Sequence, residues 1–171
     1  MNVTTFANEF IVAAVLVAAT LIIQSTGMGP LIVWGRARFA RAVQRPGPVW
    51  GALLIVRITG IMFILHGVQV LLWGGFYRWS SFPSWEAAFY FSAASYSTVG
   101  CSDLLLPARW RILGPIESMA GVLMGGLSAS FLFAAVIRLL QREEQLEIEK
   151  GEVRSSVGEP PSGAVSPTRT R

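Results

Sequence analysis

The chain reads as an all-α integral membrane protein with three transmembrane helices and a short re-entrant segment between the second and third. Two observations predict this class. First, 53% of the 171 residues are hydrophobic and only 14% are charged, with mean hydropathy +0.53, whereas a soluble domain carries roughly a quarter charged residues. Second, residues 10–35, 58–77 and 118–137 contain no Asp, Glu, Lys or Arg, and each supplies the roughly 20 residues needed to cross a hydrocarbon core about 30 Å thick. A fourth uncharged run, 87–102, is only about 16 residues long, too short to span at about 1.5 Å per residue.

The first span, residues 9–35, holds Gly27-Met28-Gly29-Pro30 near its end. Proline removes a backbone donor and clashes with the preceding turn, so a kink or break is expected there. A bend near the headgroups is favoured over a functional hinge, because bilayer helices tolerate Pro and Gly well. Residues 36–52 follow as a basic loop containing Arg36, Arg38, Arg41 and Arg45, and Arg45-Pro46-Gly47-Pro48 stops helix and turns the chain. Arg57 opens the second span, and Lys150 is the only lysine, so the net charge of +4 comes almost entirely from arginine. These arginines sit beside the apolar spans rather than lining a groove, which argues for membrane lipid and against nucleic acid as the partner. The positive-inside rule places the basic loop in the cytoplasm, the N-terminus outside and the C-terminal tail inside, in a multi-pass protein of the cell membrane. Arg109 and Arg111 oppose that trend but are fewer. Trp34 and Trp50 flank the basic loop, and Trp73, Trp79, Trp85 and Trp110 are expected at the opposite interface, where indole rings prefer headgroup level. Glu9 replaces a basic n-region and no small-residue cleavage site follows, so no cleaved signal peptide is expected.

Between the second and third spans, Pro83-Ser84 precedes a run that predicts a helix over 85–96. Ser84 suits the N-cap, and Glu86 suits the positive end of the helix dipole. Such a helix is about 18 Å long, roughly half a bilayer, so its C-terminal end is expected near mid-membrane. The partial negative charge there favours a cation just beyond it. Residues 95–103 must then return to the surface they came from. Irregular backbone at that depth survives only when buried in protein or lining a water-filled path. Three spans cannot surround it, but an assembly can.

The returning segment is Ser95-Tyr96-Ser97-Thr98-Val99-Gly100-Cys101-Ser102-Asp103. It resembles the selectivity filter of the potassium-channel superfamily, whose pattern is Thr-x-Thr-Thr-Val-Gly-Tyr-Gly-Asp. The match holds at Thr98, Val99, Gly100 and Asp103, and departs at Cys101 and Ser102. The resemblance covers roughly 58–137 and implies a pore helix and filter loop between the second and third spans. It also implies a homotetramer with one filter strand per chain. The permeant ions would be potassium or other monovalent cations, with no cofactor. In such a filter, backbone carbonyls replace the hydration shell of the ion. Thr98 would offer its hydroxyl and carbonyl, Val99, Gly100 and Cys101 their carbonyls, and Gly100 would adopt positive φ at no steric cost. Ser102 stands where a second such glycine is expected, and Cys101 is too small to brace the strand as tyrosine does. Weakened potassium-over-sodium discrimination follows as an expectation. A non-conducting scaffold or auxiliary subunit on the same fold is the alternative.

Supporting roles fall to Glu86, Ser95, Ser97 and Glu117, with Asp103 adding negative charge at the mouth. Glu117 is a carboxyl deep in a span and needs a partner, with Arg109 and Arg111 near in sequence. Gly121, Gly125 and Gly126 in the third span, which Pro115 opens, are open to two readings: a gating hinge or close helix packing. His66 is read as a neutral, hydrogen-bonded residue in preference to a proton sensor. Cys101, the only cysteine, is read as a space filler in preference to a soft-metal or redox site. One histidine, one cysteine and few intramembrane carboxylates leave no acid–base pair or metal-ligand spacing, so no enzyme and no metal site are expected. Four units result: the first helix at 1–35, the basic loop at 36–52, the pore module at 53–137, and at 138–171 a charged cytoplasmic helix that gives way after Gly151 to a Ser- and Pro-rich disordered tail. Leu139, Leu146 and Val153 are seven apart, a seam too short to argue a coiled coil.

Overall fold

The computed structural model describes residues 3–42, 48–100 and 103–156, and all regular structure among them is helical. The elements are α1 (Val3–Ala42), α2 (Pro48–Ser80), α3 (Trp85–Tyr96), a 3-10 turn (Ala108–Trp110) and α4 (Leu113–Ser156). Three stretches are long and apolar enough to cross a membrane: Phe6–Leu31, Gly51–Ser80 and Ala108–Ser155.

Two apolar clusters fix the directions of the helices. One joins Leu16 of α1, Trp73 and Tyr77 of α2, Ala88 and Phe91 of α3, and Leu113 of α4. The other joins Leu31 of α1, Leu54, Ile58 and Met62 of α2, and Ala135 of α4. So α1 and α4 run the same way and α2 runs against them. The first cluster also holds Phe82, just before α3, and Leu104 and Leu106, after it. The last residue of α3, Tyr96, packs instead with Val70 and Met124, between the two clusters.

Of the kink or break expected at Pro30, a break does not occur: α1 is continuous across it. Packing clamps the helix on both sides of the proline: Gly27 lies so close to Leu65 that a side chain at 27 would collide with it, while Met28 and Leu31 pack on α2 and α4. The α1 helix also carries through Arg36, Arg38 and Arg41, and α2 resumes at Pro48, so only 43–47 of the basic loop lie outside the described helices. At the other end, α4 passes Gly151 and continues to Ser156, further than the composition shift suggests. One glycine costs about 1 kcal/mol in a helix, which a long charged helix tolerates. Trp73 is no interface residue either: it is fully buried, and its indole N–H donates to Thr20 Oγ1 at 3.0 Å. Trp79 and Trp85 are exposed as an interfacial belt requires, and the side chains of Trp34 and Trp50 lie outside the described residues.

Candidate functional site: the end of α3 and the polar groups behind it

The short helix forms where the sequence predicts, with the predicted cap. Ser84 accepts a hydrogen bond from the Ala87 N–H at 3.2 Å, and exposed Glu86 sits in the first turn. At the other end, the carbonyls α3 leaves unpaired are taken up locally. Ala93 O accepts from the Ser97 N–H at 3.0 Å and from the Ser97 hydroxyl at 2.7 Å. Ala94 O accepts from the Gly100 N–H at 3.0 Å, and Ser95 O from the Thr98 N–H at 3.0 Å. A second donor reaches Ser95 O from α4, the Ser118 hydroxyl at 2.6 Å.

Beyond α3 the backbone turns left-handed twice, at Thr98 (φ 63°) and Gly100 (φ 77°). Glycine takes this conformation freely, but an L-residue there costs roughly 1–2 kcal/mol, and a β-branched threonine is an uncommon occupant. Sequence reasoning anticipated Gly100 and missed Thr98. Val99, between them, is 80% exposed, and Asp103 is exposed as well. Cys101 and Ser102 lie outside the described residues.

Glu117 lies behind α3, fully buried. Its carboxyl accepts from the Tyr77 hydroxyl at 2.8 Å and the Ser92 hydroxyl at 2.5 Å, so one side chain ties α4 to α2 and α3. Its partners are thus hydroxyls. Arg109 turns away, donating to Ser80 O at 3.2 Å and lying 5.9 Å from the Trp110 ring centre. Ser92 also reaches Val70 O at 2.9 Å.

Among the candidate hinge glycines, Gly121 has a packing role: a Cβ there would collide with the Tyr96 carbonyl. Gly125 and Gly126 face open space within the chain, and α4 is continuous through all three.

A second polar cluster escaped the sequence reading. Gln24 of α1, His66 and Gln69 of α2, Tyr96 of α3 and Ser128 of α4 are joined in one hydrogen-bonded ring. His66 is hydrogen-bonded at both ring nitrogens, to Tyr96 OH at 2.8 Å and Ser128 Oγ at 3.0 Å. Glu9, used above only as an argument about the N-terminus, is buried and accepts from the Ile112 N–H at 2.6 Å, capping the start of α4 from another helix. A signal for these was present. Glu9, Thr20 and Gln24 are spaced by eleven and four, which returns them to one face of a helix.

A family model described as an ion channel matches residues 65–138, the stretch from within α2 through α3 and its following segment into α4. No curated protein and no solved structure matches the chain. With three helices of membrane length, the chain is a membrane protein whose residues 65–138 are similar to ion channels.

Proposed function

We propose that the protein is a homotetrameric channel that passes monovalent cations down their gradient, with residues 98–103 of each chain forming a carbonyl filter. The observation that carries this is the setting of the Thr98-Val99-Gly100 segment within the stretch similar to ion channels. The chain enters α3 from the cluster containing Phe82, and after the segment it returns to the same cluster through Leu104 and Leu106. That course suits a re-entrant pore helix about 18 Å long. Val99, 80% exposed in the single chain, would be covered by a neighbouring chain when its carbonyl points to a common axis, and closed rotational symmetry is the usual way to make such an axis. Left-handed turns at Thr98 and Gly100 suit a strand that must aim successive carbonyls to one side.

Cys101 and Ser102 replace the tyrosine and glycine of the full motif, so the filter discriminates potassium from sodium weakly. The N-terminus faces outward and the arginine-rich connection between α1 and α2 faces the cytoplasm. The test is reconstitution in liposomes with opposed potassium and sodium gradients. A reversal potential near zero with clear current supports a weakly selective pore. A potential near the potassium limit refutes the loss of selectivity. Silence in both the wild type and the Cys101→Tyr, Ser102→Gly double variant refutes conduction and leaves a non-conducting pore-fold subunit.

A further inference from the structure

We propose that the Gln24–Gln69–Tyr96–His66–Ser128 ring is a proton-sensitive latch that holds the end of α3 to the other three helices, with His66 as its sensor. The inference rests on the channel reading only for its effect on conduction.

The ring closes in one direction. Tyr96 OH donates to Gln69 Oε1, Gln69 Nε2 donates to Gln24 Oε1 at 2.7 Å, and Gln24 Nε2 donates to Ser128 Oγ at 3.0 Å. Because the Tyr96 proton is already committed to Gln69, the Nδ1 of His66, 2.8 Å away, must donate to the Tyr96 oxygen. Its Nε2 is then the acceptor for the Ser128 hydroxyl at 3.0 Å. Each of the five side chains donates once and accepts once around the ring, and neutral His66 is fixed as the Nδ1–H tautomer.

A ring of amides and hydroxyls can equally run backwards, with the Nε2–H tautomer. Met28 decides between the two. Its sulfur lies 3.3 Å from Gln24 Nε2, and a thioether only accepts, so the Gln24 amide nitrogen is held on the side facing Met28 and Ser128.

Protonation defeats this order. A proton from water added to Nε2 turns that atom into a donor, so His66 and Gln24 then aim N–H groups at the same Ser128 oxygen. The Ser128 proton must leave the ring for another acceptor. Among the described residues, neither ring nitrogen of His66 is bonded to a carboxyl: their partners are Tyr96 OH and Ser128 Oγ. On α3 the titratable group in contact is the neutral Tyr96 phenol, and the helix's carboxylate, Glu86, lies about 15 Å along it from Tyr96. On α4 the flanking charges are Glu117 and Arg138, each about 15 Å or more along the helix from Ser128. Glu117 is engaged by Tyr77 and Ser92. On α1 they are Glu9 and Arg36, and on α2 Arg57 and Arg78, each at least about 13 Å away along its own helix from Gln24 or His66. The ring therefore loosens, and Tyr96, two residues before Thr98, loses its fixed position.

The first measurement is ¹⁵N NMR of histidine-labelled protein in lipid vesicles, where His66, the only histidine, gives the only signal. The Nδ1–H tautomer is expected at neutral pH, and Met28→Leu, which deletes the bond that sets the direction, raises the Nε2–H share by about twofold or more. A dominant Nε2–H tautomer in the wild type, or no response to Met28→Leu, overturns the ring order. Thermal melting then reads the latch itself: acidification through the His66 titration lowers Tm in the wild type more than in His66→Gln, and equal drops overturn the loosening. Cation flux falls about fivefold over the same titration, as expected for losing one net hydrogen bond, and this fall is absent in His66→Gln. A fall of the same size in both proteins overturns the control of conduction. Flux absent at every pH in both the wild type and the Cys101→Tyr, Ser102→Gly double variant overturns the channel reading, while the tautomer and melting results still decide the ring.

Discussion

Replacing Gly121 by alanine separates a packing glycine from a hinge glycine. In a helix interior the change alone stabilises by roughly 1 kcal/mol, because glycine is the poorer helix former. Here the added Cβ collides with the Tyr96 carbonyl oxygen and lies 3.0 Å from the Tyr96 carbonyl carbon and 3.2 Å from its Cγ. Those are backbone and ring-root atoms, which cannot swing aside, so the overpacking cost sits at the upper end of about 1–3 kcal/mol. Pushing α4 away also strains the Ser118 hydroxyl bond to Ser95 O, 2.6 Å long and one turn earlier, worth about 1 kcal/mol. The net loss is about 2–3 kcal/mol, and for a chain of this size that lowers Tm by about 4–12 °C. The control is Gly60→Ala on α2, an exposed position where nothing lies within 4 Å of the added Cβ, and its Tm is expected unchanged or raised. Melting of the detergent-solubilised protein, followed by tryptophan fluorescence, decides. If both variants melt alike, the close approach of α3 to α4 is wrong. If Gly121→Ala keeps its Tm but loses flux, the glycine works as a hinge.

Three further outcomes follow from the buried polar groups and the proposed filter at 98–103. Removing the Glu117 carboxyl strands the Tyr77 hydroxyl, whereas Ser92 still has Val70 O at 2.9 Å. Glu117→Ala should therefore cost about 3 kcal/mol, Tyr77→Phe about half that and Ser92→Ala least, and any other order of Tm values would count against the cluster. Glu9→Ala removes the cap on the Ile112 N–H and should cost about 1 kcal/mol; hydrogen exchange confined to the first turn of α4 should rise, and an unchanged rate there would refute the cap. Restoring tyrosine and glycine at Cys101 and Ser102 should move the reversal potential toward the potassium limit, and no movement would sink the account of weak selectivity.

Much of this architecture is legible from composition and spacing. Charge-free runs mark the spans, and Ser84 marks the start of α3 because a cap is a local chemical event that needs no tertiary partner. Gly100 is legible for the same reason, since positive φ belongs to a residue type. Thr98 is not, because its left-handed backbone goes against the residue's own preference and is imposed by surroundings. Glu117 announces itself as a carboxyl in a span, yet its partners are hydroxyls from α2 and α3 rather than the arginines nearest in sequence. Sequence proximity is a poor guide when three helices converge. At Pro30 the helix does not break, and Met28 and Leu31 beside it pack on α2 and α4.

The polar groups on α1 explain how a helix outside the ion-channel-like stretch can hold a defined position against it. Between helices in a bilayer there is little hydrophobic drive, since lipid tails are as apolar as leucine, so close packing and interhelical hydrogen bonds must set both contact and register. On α1 the apolar buried positions are few, including Ala13, Leu16 and Leu31, and such side chains fit many registers. Glu9 to the Ile112 N–H, Thr20 to the Trp73 indole and Gln24 to Gln69 and Ser128 do not. They engage α2 and α4 at separate heights, so sliding α1 by one turn breaks all of them together. Each bond alone averages about 0.6 kcal/mol in a bilayer, too little to fix a helix. Lost together they leave several buried donors and acceptors without partners, each costing about 1–3 kcal/mol. The register of α1 is thus set less by what the bonds contribute when made than by what their simultaneous loss would cost.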